Sequence, residues 1–217
     1  MRFYNYLNEK DLDLKYIAQL LYKNCMPYLK DINFSKNFPF LYSGRKKSKI
    51  WFKGRVRKDR KPKDTPKEIH NMLDNAFQKK FGIKARSQSL FTSFYINQTT
   101  PYGNSYIIFP IGNYEILWNP KIIDLTDKLG NYSYKKFKKG LIQAYYEIED
   151  EKEKAEWFSY IKEIIEKEIV PEYKKGNLKQ ASKYKSEIML ICNEYYAIYS
   201  VLEAELRLII EEINEIK

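Results

Sequence analysis

Cysteine and histidine are scarce in this chain of 217 residues, which holds two cysteines and one histidine. Cys25 and Cys192 are far apart and belong to no CxxC pair, so the sequence predicts neither a disulfide scaffold nor a cysteine-based zinc site. The single histidine, His70, excludes a multi-histidine metal centre and disfavours a Ser–His–Asp triad. We therefore expect a protein that works without a bound metal.

Long apolar runs are also missing. No stretch approaches the roughly 18 consecutive apolar residues of a transmembrane helix, and the first residues, MRFYNYLNEKD, lack the apolar core of a secretory signal. A glycine-rich phosphate loop is absent as well, because GRKKSK at 44–49 departs from the Gly-x4-Gly-Lys pattern. These absences predict a cytoplasmic protein that makes no contact with a membrane.

Aromatic residues and positive charge, in contrast, are abundant. The chain is 44% hydrophobic and 16% aromatic, which predicts one folded domain over 1–217 and not a disordered chain. Residues 141–217 contain 11 basic and 17 acidic residues, a net charge of −6, so residues 1–140 carry +17. Such a split predicts two functional surfaces, one of them suited to phosphates or polyanions.

The best-marked helix follows Thr65. Thr65 and Glu68 have the spacing of a capping box, and Pro66 stands at the first helical position. Apolar residues then recur every three or four positions until Gly82, which is the pattern of a helix with one face in the core. We predict that this helix begins at Thr65 and ends at Gly82.

Three further segments show helical periodicity. They are an N-terminal segment at 8–26, an insertion at about 134–170 and a C-terminal helix at 202–216. Asn8 is the expected N-cap of the first, and Pro27 is expected to end it. In the insertion, one face carries the apolar residues Trp157, Ile161, Ile164 and Ile165. We expect these helices to decorate a β-sheet core.

Alternating or short apolar runs predict the strands of that core. The expected strands are 40–42 and 50–56, separated by a Ser-Gly turn, three strands within 86–121, and two strands around a tight turn at Asn193 and Glu194. The segment GNLKQASKYK at 176–185 predicts a short helical turn or a loop. Because strands and helices come in blocks, the sequence favours an α+β fold over a doubly wound one.

Residues 45–63 form the densest basic segment, with eleven basic residues in nineteen. Alternation places Lys53, Arg55 and Arg57 on one face of a strand and Phe52 and Val56 on the other. A row of guanidinium groups suits a diphosphate, and the neighbouring aromatic residues could stack on bases. A solvated edge strand that its lysines protect from aggregation explains the same pattern equally well.

Hydroxyl side chains crowd the segment RSQSLFTSFY at 86–95. Serine is a poor strand former, so Ser87, Ser89, Thr92 and Ser93 together suggest hydroxyls that orient other polar groups in a cleft. A polar edge strand is the competing interpretation. We predict no serine nucleophile, because the sequence places no lysine or histidine to activate one.

Glu187 stands directly before the apolar run Ile188–Cys192. A solvated residue ahead of a buried strand is one interpretation. The other is that the strand aims this carboxylate into a cleft, and it gains weight from the order of the three features. A basic strand comes first, a hydroxyl-rich strand follows, and a glutamate opens a late strand.

That order resembles the ADP-ribosyltransferase family of the Arg–Ser–Glu type, including short enzymes of this type carried by bacteriophages. FLYSGR at 40–45 resembles the first-strand motif whose arginine holds the NAD phosphates. SLFTSFYINQTTPYG at 89–103 is similar to the hydroxyl strand. KSEIMLICNEYYAI at 185–198 is similar to the strand that opens with the catalytic glutamate and turns back in a hairpin.

The resemblance implies an ADP-ribosyltransferase-like split mixed β-sheet core, NAD as the substrate and no metal. The implied catalytic residues are Glu187, Ser93 and Thr92. The implied NAD-binding residues are Tyr42, Gly44, Arg45, Arg55, Arg57, Ser89, Phe91 and Tyr102. Ser43 occupies the position of the family's arginine, so Arg45, or Arg55 and Arg57, would anchor the diphosphate.

The acceptor implied by the resemblance is a host protein or a nucleic acid in the host cytoplasm. Lys185 stands where arginine-specific members carry a second Glu or Gln, which disfavours arginine as the acceptor. Two other functions remain open on the residues alone. One is a basic protein that binds nucleic acid through 45–63 without catalysis, and the other is a phage protein that inhibits a host factor.

Overall fold

The computed structural model describes residues 14–35, 37–61, 65–134 and 139–215. Within these ranges the protein combines helices with two four-stranded sheets, and the pairings of those sheets are antiparallel. The predicted α+β class is therefore confirmed, whereas the expectation of mixed strand directions is wrong for these strands. The chain packs as two compact units, and each unit draws on separate stretches of sequence.

Strands and helices follow one another along the whole described chain. The strands are, in chain order, β1 (Tyr42–Arg45), β2 (Trp51–Arg55), β3 (Leu90–Thr92), β4 (Asn104–Ile111), β5 (Glu115–Trp118), β6 (Ser133–Tyr134), β7 (Lys139–Gly140), β8 (Lys174–Lys175), β9 (Ile188–Ile191) and β10 (Glu194–Tyr199). The helices are α1 (Leu14–Asn24), α2 (Met26–Asp31), α3 (Lys67–Phe81), α4 (Ala85–Gln88), α5 (Leu125–Gly130), α6 (Leu141–Glu147), α7 (Glu151–Ile164), α8 (Leu178–Ala181) and α9 (Glu203–Glu215).

The first unit comprises the residues up to Arg55, Phe94–Tyr114 and the residues from Cys192 onward. Its sheet has the strand order β1-β4-β10-β2. The inner strands β4 and β10 are almost wholly buried, which explains their long apolar runs. In the edge strand β2, Phe52 is buried while Lys53 and Arg55 are exposed, so the predicted alternation is confirmed for these three residues, whereas Val56 and Arg57 lie beyond the end of the strand.

The second unit comprises Val56–Ser93 and Glu115–Ile191. Its sheet has the order β3-β9-β5-β8, so β9 lies between two partners and its residues Ile188–Leu190 are buried. Helices α3 and α7 contribute large apolar side chains to the core, among them Phe77 and Trp157, which are fully buried. Helix α3 and β9 thus frame one continuous core.

The helix predictions hold in outline and fail at several ends. Helix α3 begins two residues after Thr65, with Pro66 as the N-cap, and the Thr65 hydroxyl instead contacts Thr126 at 3.3 Å. The predicted capping box is therefore wrong. Gly82 ends α3 as predicted, because its φ of 77° lies in the left-handed region that glycine tolerates.

The predicted N-terminal helical segment and the predicted helical insertion each contain more than one element in the structure. The N-terminal segment contains α1 and α2, and Pro27 lies in the first turn of α2 instead of ending a helix, a position where its missing N–H is harmless. Residues 8–13 lie outside the described residues. The insertion contains β7, α6 and α7, and 135–138 are not described. The predicted apolar face of the insertion is buried. Helix α9 confirms the predicted C-terminal helix at 202–216 with nearly the same bounds.

The strand predictions identify most strands but not their partners. Ser43 and Gly44 lie inside β1 and do not form the expected turn. Ser87 lies in α4, and Ser89 follows it, so the hydroxyl strand shrinks to β3. The hairpin expected from β9 and β10 is wrong, because β9 pairs with β3 and β5 while β10 pairs with β4 and β2.

Candidate active site

Glu187 precedes the inner strand of the second unit's sheet. Ile188 is paired with Thr92 on one side and with Trp118 on the other. The pairing ends at this point, and Ser93 and Asn119 directly follow the two residues paired with Ile188. The main-chain N–H of Glu187 donates to the carbonyl of Ile123 at 3.1 Å. The backbone that carries this carboxylate is therefore held on several sides.

The side-chain partner of Glu187 is Arg86. Nη1 of Arg86 donates to Oε1 of Glu187 at 3.0 Å, and the two side chains are only 9% and 13% exposed. A charged pair this deeply buried is costly to desolvate, so it is retained where the geometry is tight or a function needs it. The interpretation of Glu187 as a solvated residue is therefore wrong.

Burial perturbs the ionisation of Glu187. Desolvation raises the pKa of its carboxyl above the ordinary 4.5, Arg86 and Arg60 oppose that rise, and Asp124 adds to it. Asp124 is the N-cap of α5, and its Oδ1 accepts from the N–H of Thr126 at 2.7 Å. A carboxyl whose pKa is raised by burial and shifted further by specific charged neighbours is a candidate catalytic group.

Helix α4 is the single turn that presents Arg86. Asp74, on α3, accepts through Oδ1 from the N–H of Arg86 at 2.8 Å and from the N–H of Ser87 at 3.1 Å. It thereby caps the start of α4 from another helix, a role that Lys84 at the N-cap cannot play. The Ser89 hydroxyl donates to the carbonyl of Ala85 at 2.6 Å and closes the turn.

His70 reinforces this cap. Its Nε2 lies 2.9 Å from Oγ of Ser87 and 3.4 Å from Oδ2 of Asp74, while the Ser87 hydroxyl donates to Oδ2 of Asp74. A histidine does therefore lie beside a serine, contrary to the sequence-based expectation. The Ser87 proton is directed to the carboxylate and not to the imidazole, so the arrangement holds α4 in place and is not a triad.

Phe91 supports two arginines. The guanidinium carbons of Arg60 and Arg86 lie 3.9 Å and 4.3 Å from the centre of its ring. The N–H of Arg60 also donates to the carbonyl of Ser87 at 3.2 Å. Two guanidinium groups are thus gathered on one aromatic side chain, with the carboxylate of Glu187 beside one of them.

The predicted catalytic hydroxyls lie on the strand next to Glu187. The Thr92 hydroxyl donates to the carbonyl of Ile188 at 3.1 Å, so it contacts the backbone one residue beyond the carboxylate. Ser93 is buried at the end of the same strand. The second unit therefore brings together five predicted site residues, namely Ser89, Phe91, Thr92, Ser93 and Glu187.

Five predicted NAD-binding residues lie in the first unit: Tyr42, Gly44 and Arg45 are in β1, Tyr102 is in the turn that packs on it, and Arg55 ends β2. The Tyr42 hydroxyl donates to Glu203 on α9 at 2.6 Å. Gly44 lets the turn carrying Tyr102 approach, because a Cβ at this position would collide with that backbone. The guanidinium of Arg45 lies 5.8 Å from the ring centre of Tyr195.

Arg55 and Arg57 are exposed. Nε of Arg55 donates to Oε1 of Glu194 at 3.0 Å, and Lys53 binds the second oxygen of that carboxylate at 2.7 Å. Glu194 is therefore the first residue of β10 and a cross-strand partner, not a turn residue as predicted. Arg57 belongs to the second unit, whereas Arg45 and Arg55 belong to the first.

Several residues of this site were not among the predicted ones. Arg86, Asp74 and Asp124 stand in segments whose periodicity describes only helix or loop, and Arg60 was one of eleven similar charges. Buried charge would have been the signal, because Asp74 and Arg86 fall on apolar-facing positions. That signal depends on knowing which positions are buried, which the sequence shows for α3 but not for α4.

The comparisons with known proteins add no relative. A scan of family models, a search of curated proteins and a search of solved structures found no match to this chain. Among the described residues, no helix is both long and apolar enough to cross a membrane. The same part of the chain contains no group of three or more His, Cys, Asp or Glu residues that could hold a metal ion.

Proposed function

We propose that this protein is an ADP-ribosyltransferase that uses NAD as its substrate, with Glu187 as the catalytic carboxylate. The observation that supports this most is the buried ion pair of Glu187 with Arg86 at the start of an inner strand. A carboxylate in a water-poor site stabilises developing positive charge far more than one in water does. Its rigid backbone supplies the preorganisation that such stabilisation needs.

The chemistry needs little else. Nicotinamide in NAD is already a pyridinium, so when the bond to the ribose breaks it leaves with the electron pair as a neutral molecule. The ribose is left as an oxocarbenium-like cation, as in glycoside hydrolysis. Glu187 stabilises that cation, and the acceptor then attacks the same carbon. Glu187 or water takes the proton that the acceptor releases.

For the diphosphate we propose Arg60 as the anchor, because Arg60 and Glu187 belong to the same unit. Arg60 belongs to the basic segment 45–63, and its guanidinium lies over Phe91 beside Arg86. Arg55 is the weaker candidate because Glu194 already binds it. Planar guanidinium groups match phosphate oxygens two at a time, which suits a diphosphate.

The decisive experiment compares Glu187→Gln with the parent chain in NAD turnover and in transfer from labelled NAD to a host extract. The substitution keeps the shape of the side chain and an acceptor for Arg86 but removes the charge. We expect transfer to fall by about 100- to 1000-fold, the usual loss for one electrostatic stabiliser. NAD affinity should change little, because the charge matters chiefly in the transition state.

Glu194→Gln is the matched control. Glu194 is a partly exposed carboxylate with two basic partners, so it resembles Glu187 in charge and in pairing with a base but is less buried. We expect its replacement to leave turnover unchanged. Near-parental transfer by a folded Glu187→Gln protein would contradict the catalytic assignment, whatever the control shows.

A second candidate function is supported by the surface of the basic segment. Lys46–Lys49 are exposed, as are Arg57, Lys58 and Lys61, and a chain of net charge +11 attracts polyanions. On this reading the protein binds nucleic acid, or a host factor, without catalysis. The expectation of a bacteriophage protein acting in a host cytoplasm rests on the family resemblance alone and remains part of the proposal.

A further inference from the structure

The sheet of the first unit has an open edge at β2. The strand order places β2 at the end of that sheet, and β10 is its one partner strand among the described residues. The N–H of Tyr199 donates to the carbonyl of Ile50 at 2.7 Å, directly before β2 begins. Because hydrogen-bonded pairs alternate along an antiparallel ladder, Phe52 and Gly54 also direct their main-chain groups toward β10.

The main-chain groups of Trp51, Lys53 and Arg55 therefore point away from β10. None of these residues has a main-chain hydrogen bond to a described residue outside the sheet. An edge that presents N–H and C=O groups in this way matches another extended strand, and such edges bind peptides by strand addition. The outer edge of β2 thus has the hydrogen-bonding groups that an added strand needs.

Positive charge surrounds this edge. The stretch 42–55 contains no acidic residue, and Lys46–Lys49, in the loop before β2, are exposed. Within the strand, the side chains of Lys53 and Arg55 are 49% and 85% exposed. Complementary charge therefore favours a peptide that carries carboxylates.

Glu194 shows how a neighbouring strand can bind these two cations. It lies opposite Arg55 in the register of β10 and β2. Its Oε1 accepts from Nε of Arg55 at 3.0 Å, and its Oε2 lies 2.7 Å from Nζ of Lys53. A carboxylate on a strand added to the outer side of β2 would meet the same two cations, as a second cross-strand pair.

The two faces of β2 differ, and the difference predicts the pattern of the peptide. Lys53 and Arg55 project from one face, and Phe52 projects from the other. The ring centres of Phe52 and Tyr195 lie 6.3 Å apart, and the Tyr195 ring fills the space that a side chain at Gly54 would need. An added strand therefore meets cations on one face and aromatic rings on the other, which suits alternating acidic and apolar residues.

We infer that the outer edge of β2 binds an acidic peptide of a partner protein as an added strand. A second copy of this chain fits less well, because two β2 strands would set Lys53 and Arg55 against the same charges. RNA supplies negative charge but no strand whose main chain matches the edge. The inference is independent of the proposed function, since β2 and Glu187 belong to different units.

The test uses a fluorescein-labelled heptapeptide in which glutamate alternates with valine, and binding is measured by fluorescence anisotropy. A matched probe has the same sequence with every main-chain amide N-methylated, which keeps the charge and removes the donors. We expect N-methylation to weaken binding by about tenfold or more. A third peptide, with lysine in place of glutamate, should not bind.

Lys53→Pro and Lys53→Gln separate the edge from the charge. Both substitutions remove the cation, but only proline removes the outward N–H, and proline is tolerated on an edge strand where that N–H faces solvent. We expect Lys53→Gln to weaken peptide binding moderately and Lys53→Pro to weaken it by about a further tenfold. The unfolding midpoint of each variant shows whether it is folded, and the methylated peptide tests the edge without any substitution.

Amide hydrogen exchange, followed by NMR, gives a readout that charge attraction alone would not change. In the free protein the amides of Phe52 and Gly54 should be protected by β10, whereas those of Trp51, Lys53 and Arg55 should exchange fast. Binding of the glutamate–valine peptide should slow exchange at the latter three.

Three results would overturn the inference. The first is that the glutamate–valine peptide does not bind, or binds no better than its methylated form. In that case, tighter binding of a uridine oligonucleotide would assign the surface to nucleic acid. The second is unchanged exchange at Trp51, Lys53 and Arg55 in the peptide complex. The third is self-association of the parent chain that Lys53→Pro abolishes, which would assign the edge to a second copy.

Discussion

At the scale of single residues, the chemistry of the site depends on Glu187 being buried but paired. A carboxyl whose folded pKa is raised stabilises the fold below its unfolded pKa, and that contribution is lost as the pH rises through the folded value. The raised pKa of Glu187 therefore means that its charge is held at some expense to stability near neutral pH. Residues of this kind are expected where function and not stability selects them.

The pH dependence of turnover should reveal how burial and the neighbouring charges set the pKa of Glu187. Because Glu187 must be ionised to stabilise a cation, and burial raises its pKa above 4.5, the acidic limb of kcat/KM should lie above the pH of an ordinary glutamate. Arg86 lowers the pKa of Glu187, so Arg86→Gln should move this limb to still higher pH. The measurement is a pH profile of kcat/KM for both proteins.

Lys121→Gln is the control for that profile. Lys121 binds Glu172 on the surface of the same unit at 2.8 Å and is not among the charges that shift Glu187. Its replacement removes one positive charge and should leave the limb where it is. An acidic limb that does not move in Arg86→Gln would show that another group controls the profile.

At the scale of elements, the geometry of the site depends on helix α4, which is a single turn. A helix of four residues is not stable by itself in water, since the cost of nucleation exceeds what one turn returns. Asp74 caps its start, Ser89 closes its end, and the backbone of Arg60 is bonded to its last turn. The position of Arg86 thus depends on the contacts that Asp74, Ser89 and the main chain of Arg60 make with α4.

Asp74→Asn tests this indirect control. The amide keeps one oxygen for the N–H groups of α4 but places an NH2 against Ser87 or His70, where an acceptor is needed. We expect the free energy of unfolding to fall by about 1–3 kcal/mol, the penalty of unsatisfied buried groups. We also expect turnover to fall at saturating NAD while KM changes less, because Arg86 no longer holds Glu187 correctly.

Asp127→Asn provides the comparison, since Asp127 is an exposed carboxylate on α5 of the same unit. It should match the parent in stability and turnover. A purely structural role for Asp74 would lower stability without changing the pH profile of the folded enzyme. An unchanged profile, with turnover reduced only in proportion to unfolded protein, would contradict the positioning role.

The elements also show why the sequence predicted some features and missed others. Helix α3 was predictable because its apolar stripe is long and glycine ends it. Helix α4 was not predictable, because four residues are too few to show helical periodicity. Its cap also comes from Asp74, which lies eleven positions before the helix begins. Strands β9 and β10 were recognised individually, but their apparent hairpin was wrong because apolar runs do not reveal which strand each will pair with.

At the scale of the whole molecule, the chain passes repeatedly between its two units. Strands β4 and β5 are neighbours in sequence but belong to different sheets, as do β9 and β10. The charge contrast between residues 1–140 and 141–217 therefore does not divide the protein as the sequence suggested, since both stretches contribute to both units. Glu187 was predictable as a candidate, whereas its partner Arg86 depended on pairings that no local pattern contains.

Net charge supplies the last prediction, which separates the two candidate functions. A protein of net charge +11 should bind polyanions such as RNA at low salt. If it neutralises six or more phosphates, that binding should weaken by about a thousandfold or more between about 50 mM and about 200 mM salt. NAD carries only two phosphates, so its affinity should change far less over the same range.

Replacing Lys46, Lys49 and Lys58 together by Gln tests which of the two bindings matters. All three side chains are exposed. For an NAD-dependent enzyme, the triple variant should lose up to about three units of slope in a plot of log affinity for RNA against log salt, while NAD turnover stays at the parental rate. If the parent turns over no NAD but binds RNA steeply, and the variant loses that binding, then the nucleic-acid function replaces the catalytic one. In that case the buried charge of Glu187 would have only a structural role, and Glu187→Gln should leave RNA binding unchanged.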